Sequence, residues 1–156
     1  MVNISSTQDA VIGDVEIAAS PEAVFAAITD PEQLKRWWGD GKNYKVERWE
    51  GDVRVGSRYR SVGTGRTGDP FEVTGEYVAV EPPRLLAYTW EASWTTGIPA
   101  SLVRWELSPS PSGTRVQVTH SGFSQYPEMV QMYSNGWPGV LGWLKGFAER
   151  KVAARA

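Results

Sequence analysis

Between Tyr44 and His120 apolar and polar residues alternate in six successive runs, and from Trp137 onward the apolar period becomes helical. This order constrains the fold more than any other feature of the chain. Strict alternation marks a strand with one buried face, and recurrence at i, i+3 and i+4 marks an amphipathic helix. The six runs are Tyr44 to Glu50, Ser57 to Val62, Phe71 to Val80, Leu85 to Glu91, Leu102 to Ser108 and Thr114 to His120. Turn chemistry separates them: Gly51-Asp52, the glycine-bearing stretch from Gly63 to Pro70, Pro82-Pro83, and Pro109 to Gly113. Consecutive strands with such short connections pair antiparallel.

Upstream lies one further alternating run, with Val11, Gly13, Val15 and Ile17 on one face and Asp14 and Glu16 on the other. Two short helices follow. Ser20-Pro21-Glu22 places an N-cap, a first-turn proline and a carboxylate on the helix dipole, and Asp30-Pro31-Glu32 repeats the signal. The second helix runs to Trp37-Trp38, where Gly39 and Gly41 end it. Near the C-terminus, Trp137, Val140, Leu141, Leu144 and Ala148, widened by Trp143 and Phe147, form a stripe too broad for one contact surface. Ser134 or Asn135 is the expected cap of this helix, with Pro138 in its first turn. The expectation is an α+β domain: a seven-stranded curved antiparallel sheet around a long C-terminal helix, with two short helices between strands 1 and 2. It forms a single domain over residues 1–156, with a core of about 8–152. Space remains at the open end of the helix, so a cavity is expected there.

Four passages, in order, resemble the START-like (SRPBCC) superfamily and its helix-grip fold. More narrowly, they resemble the family named for the activator of the heat-shock protein 90 ATPase, in its C-terminal domain. They are Ile17 to Gly39, a capped helix leading to paired tryptophans; Gly51 to Arg60, a strand-turn-strand; Gly75 to Trp90, with the double-proline turn; and Gly113 to Phe123, the last strand and its exit. The superfamily includes lipid carriers, hormone receptors, polyketide cyclases and co-chaperone modules, so the resemblance implies the fold and leaves function open.

The chain has eight tryptophans, one histidine and no cysteine. The absence of cysteine rules out disulfides and thiolate chemistry. One histidine and no Asp-rich calcium loop leave no metal site, and no cofactor is expected. Gly63, Gly65 and Gly68 lack phosphate-loop spacing and read as a hairpin. His120 shares strand parity with Val116 and Val118 and so points inward. A neutral imidazole held by a carbonyl or hydroxyl outweighs a ligand contact, and a catalytic base comes last because no carboxylate shares its face. No catalytic residue is assigned. Strand parity collects Tyr59, Phe71, Tyr77, Tyr88, Trp90, Trp105 and His120 on the concave face, with Trp137 and Leu141 opposite on the helix. These nine are the candidate cavity lining, an apolar wall with a few polar handles. Trp37 and Trp38 are read as packing residues. Arg58, Arg60 and Arg104 are read as outward-facing, while Arg48 stays open because its strand alternates poorly.

The leading functional reading is binding or carriage of a small hydrophobic or aromatic molecule, without committed catalysis. A cyclase- or aromatase-like enzyme using the same cavity is the first alternative. A co-chaperone-like interaction module is the second, though a chaperone is not the expected partner, because the chain has no added chaperone-binding domain. A formal charge of −2 argues against nucleic acid. No apolar run approaches membrane-span length, and Met1 to Ala10 does not read as a secretory signal, so a cytoplasmic location is expected. An edge strand leaves a homodimer open.

Overall fold

The computed structural model describes residues 2–155. Its elements are β1 (Asn3–Ser6), β2 (Ala10–Ile17), α1 (Pro21–Thr29), α2 (Pro31–Trp37), β3 (Tyr44–Glu50), β4 (Arg58–Gly65), β5 (Pro70–Glu81), β6 (Leu85–Ala92), β7 (Ser101–Ser110), β8 (Gly113–Ser121) and α3 (Pro127–Arg155). All strands join one antiparallel sheet in the order β1-β2-β8-β7-β6-β5-β4-β3. α3 lies across the concave face, as the expected helix-grip architecture requires. No helix among the described residues is long and apolar enough to cross a membrane.

Both short helices start where the cap signals put them. The Ser20 hydroxyl accepts from Ala23 N–H (3.2 Å) and the Asp30 carboxylate from Glu32 N–H (3.0 Å). Such caps are worth about 1 kcal/mol each. Asp30 also closes α1, its own N–H donating to the Ala26 carbonyl (2.8 Å), so one residue ends one helix and opens the next.

Two expectations need correction. The sheet has eight strands, because Asn3–Ser6 pairs with Val11–Asp14 ahead of the first expected strand. This edge strand is short and mostly exposed, so it carries no apolar alternation that would reveal it. The two short helices therefore lie between β2 and β3. The last helix starts at Pro127, not after Ser134 or Asn135, and Pro138 lies inside it. Its first turns contribute Met129 and Tyr133, four residues apart and continuing to Trp137, so the apolar stripe begins earlier than the dense region from 137 to 148 suggests.

Two bulges decide which side chains face inward. Between Val46 and Arg48 the β3–β4 register shifts by one residue, so Val46 and Trp49 are both buried although their positions differ in parity. Arg48 is thereby turned to solvent, its guanidinium 3.5 Å from Glu50. A second shift, between Tyr77 and Ala79, leaves Val78 exposed. On the sheet's other half, Gly13 of β2 lets α3 approach. A Cβ there would meet the Leu141 side chain at 2.8 Å and Ile4 at 2.9 Å.

Candidate ligand-binding site

Where the sheet curls away from α3, the structure leaves a cavity of about 300 Å³ that is open on one side. Its sheet side is built from Val46 and Trp49 of β3, Ser61 of β4, Phe71 and Val73 of β5, and Trp90 of β6. The helix side comes from Met132, Tyr133, Gly136, Trp137 and Val140 of α3, and Trp38, Tyr44 and Trp94 close the ends. Trp94, Met132 and Gly136 are also exposed, which marks the mouth between the β6–β7 loop and α3.

Of the nine residues expected to line the cavity, Phe71, Trp90 and Trp137 do so. The other six lie in the layer behind. Tyr59 stacks on Trp49, with ring centres 4.8 Å apart, and its hydroxyl donates to the Thr89 carbonyl (2.6 Å). Tyr77 and Tyr88 accept hydrogen bonds from Trp49 Nε1 (3.1 Å) and Trp105 Nε1 (3.0 Å). Trp105 meets the edge of Trp137, and Leu141 packs toward Gly13. His120 is fully buried. For the strand residues among these nine, parity selects the inward face, but it carries no information about depth. Desolvation holds the phenols of Tyr59, Tyr77, Tyr88 and Tyr133 above their ordinary range, so they remain protonated.

The polar handles of the wall are largely spent on one another. Trp90 Nε1 donates to the Tyr133 hydroxyl (3.1 Å), Trp49 Nε1 to the Tyr77 hydroxyl, and Trp137 Nε1 to His120 Nδ1. Burial pushes the Tyr44 phenol at the end of the cavity up to about 12, so it stays protonated. With these N–H groups engaged, the wall presents ring faces and carbon edges. Trp38 is the hub, stacked on Trp37 (5.1 Å) and Trp90 (6.0 Å) and tilted against Trp49 and Trp137.

His120 organises this wall from behind. The Trp137 indole N–H donates to Nδ1 (3.1 Å), which leaves the ring proton on Nε2, 2.8 Å from Ser101 Oγ. The Ser101 hydroxyl donates in turn to the Trp90 carbonyl (3.3 Å). A neutral imidazole thus ties together the two tryptophans that line the cavity from opposite sides. Its neighbours are aromatic (Trp90, Phe123, Tyr133 and Trp137), and burial drives its pKa down to about 3 from the ordinary 6.5. Between pH 6.5 and about 3 the unfolded chain therefore binds a proton that the folded chain refuses. Stability from this group is complete above 6.5 and falls as pH drops through that window, by up to ten-fold in the folding constant per unit. His120 is the sole histidine, so one imidazole resonance followed by NMR checks this. It is expected to stay at its neutral position down to pH 4.5 for as long as the fold persists.

Several lining residues were not among the nine, and each has a traceable reason. Trp49 was hidden by the β3 bulge, and Met132 and Tyr133 by the misplaced start of α3. Trp38 was read as packing because a tryptophan at a helix end gives no parity to follow. Trp37 does have that packing role, its indole donating to the Ala27 carbonyl (2.8 Å) to bind α2 to α1. Ser61 and Val73 share the inward parity of Tyr59 and Tyr77, and that was the available signal.

The profile of the family described as Activator of Hsp90 ATPase homolog 1-like protein matches residues 18–149. No curated protein matches the chain. Among solved structures, a crystal structure of a protein from Rhodobacter sphaeroides aligns with a TM-score of 0.85 at 22% identity, covering 100% of both chains. A crystal structure of a protein from Nitrosomonas europaea aligns with a TM-score of 0.79 at 20% identity, covering 96% of this chain and 99% of that one. The solution NMR structure of the AHSA1-like protein from Aeromonas hydrophila aligns with a TM-score of 0.75 at 25% identity, covering 91% of this chain and 93% of that one.

Proposed function

Because the chain belongs to the family of Activator of Hsp90 ATPase homolog 1-like proteins, we propose that it acts through its cavity, as a binder or carrier of a small hydrophobic or aromatic molecule. The observation that carries this reading is the wall itself: aromatic rings around about 300 Å³, opening at a mouth flanked by the exposed Trp94 and Met132. A core packed for stability alone leaves few voids larger than a water molecule. A dry cavity of about 150 Å³ takes a benzene, so twice that volume suits two or three fused rings or a short branched chain. The cyclase-like alternative needs His120, Tyr59 or Tyr88 to open onto the cavity. All three are at most 2% exposed, none borders the space, and both ring nitrogens of His120 are engaged, which weighs against it.

Titration with naphthalene and phenanthrene tests the reading. Five tryptophans line the space, so a bound ring is expected to quench intrinsic fluorescence in a saturable way. Ligand at one hundred times Kd should add about 2.7 kcal/mol of stability, visible as a raised melting temperature. Absence of both signals across the hydrocarbon series up to its solubility would overturn it.

A further inference from the structure

The strand side of the cavity holds one buried hydroxyl, and it has no protein partner among the described residues. Ser61 is 2% exposed and points inward from β4, paired across the sheet with Trp49 on one side and Val73 on the other, both lining residues. Buried hydroxyls almost always find a partner. The other buried hydroxyls have theirs, Ser101 in the His120 chain and Thr114 on the Ala19 carbonyl (2.7 Å). Among the described residues, the Ser61 hydroxyl makes no hydrogen bond. Nor is its oxygen sealed into the protein without a partner, since no such buried atom exists among those residues. The space it meets is the cavity.

The surrounding chemistry is equally specific. No charged side chain lines the cavity. A carboxylate or ammonium taken inside would lose its hydration with no countercharge to replace it. Of the other hydroxyls of the wall, Tyr133 opposite on α3 accepts from the Trp90 indole, and Tyr44 stands at the end of the cavity. A serine hydroxyl both donates and accepts, so it can meet a phenol or a ketone equally.

On the reading that this cavity is a ligand site, we infer that its ligand class is an uncharged fused-ring molecule bearing a single oxygen, and that Ser61 recognises that oxygen. The rings lie against the tryptophans, and the oxygen is directed to the β4 floor. Ser61 supplies orientation and selectivity, and the aromatic wall supplies most of the affinity.

The test uses naphthalene, 2-naphthol and 2-naphthoate as probes, with wild type and Ser61→Ala compared by tryptophan fluorescence at neutral pH. Ser61→Ala is expected to weaken 2-naphthol about ten-fold, the size of one net hydrogen bond, and to leave naphthalene within two-fold of wild type. 2-Naphthoate is expected to bind wild type at least ten-fold more weakly than 2-naphthol. If Ser61→Ala leaves 2-naphthol unchanged, or weakens both neutral probes alike, the role of Ser61 is overturned while cavity binding stands. If 2-naphthoate binds as well as 2-naphthol, the restriction to uncharged ligands is overturned. If no probe binds wild type, the cavity reading itself fails.

Discussion

Truncating His120 to alanine is expected to lower stability by about 3–5 kcal/mol, the range seen when a large buried ring is deleted from a core. The imidazole is fully buried, with ring centres 4.4 Å from Tyr133 and 4.8 Å from Phe123. Its removal opens a hole, leaves the Trp137 indole N–H without its 3.1 Å acceptor and takes from the Ser101 oxygen its 2.8 Å donor. For a chain of this length the melting temperature should fall by roughly 10 °C. His120→Leu separates the two causes. It keeps most of the apolar volume but none of the hydrogen bonds, so a smaller loss of about 1–3 kcal/mol is expected. Neither variant has an imidazole to protonate, so both should lose the part of the acid sensitivity that wild type shows between pH 6.5 and about 3. Urea melts across pH measure all three quantities. A His120→Ala protein as stable as wild type would mean that the hydrogen-bonded chain from Trp137 to Trp90 holds nothing in place.

The second large effect is on binding. Val73 is 2% exposed and stands on the β5 floor of the cavity, facing α3. Val73→Trp should project an indole into the empty volume and divide it, leaving no room for a two-ring probe. Overpacking a filled core costs about 1–3 kcal/mol, but here the added atoms enter space the native fold leaves open. The melting temperature is therefore expected to change by only a few degrees, while naphthalene and 2-naphthol affinities fall at least a hundred-fold. Fluorescence titration with a parallel thermal melt checks both. Unchanged affinity would place the ligand site elsewhere on the molecule.

The sites of error show what kind of information a one-dimensional pattern carries. Alternation identified the strands from Tyr44 to His120, because each side chain's face follows from the pleat. Ser20 and Asp30 identified two helix starts, because a cap acts within three residues. β1 escaped because four mostly exposed residues have no apolar face, and its pairing partner lies beyond a turn. Trp49 escaped because a one-residue register shift leaves no mark in the alternation of β3 itself. The start of α3 escaped because its first turns carry exposed residues between Met129, Tyr133 and Trp137.

Eight tryptophans with no cysteine pointed toward an aromatic interior, and the sequence by itself determined seven of the eight strands, the gripped helix and the family resemblance that the fold matches. All of these rest on local periodicity and short-range capping. Only the tertiary structure decided which inward rings reach the cavity and which stand behind it, since parity assigns a face and not a layer. It also decided how polar the wall is. Trp90 donates to Tyr133, 43 residues away, and Trp49 to Tyr77, 28 away. These long-range pairings take up donors that the composition suggested would face a ligand, and they leave the Ser61 hydroxyl without a protein partner. Hydrogen-bond pairing between distant strands and helices depends on how the sheet curls around α3, and no spacing along the chain records it.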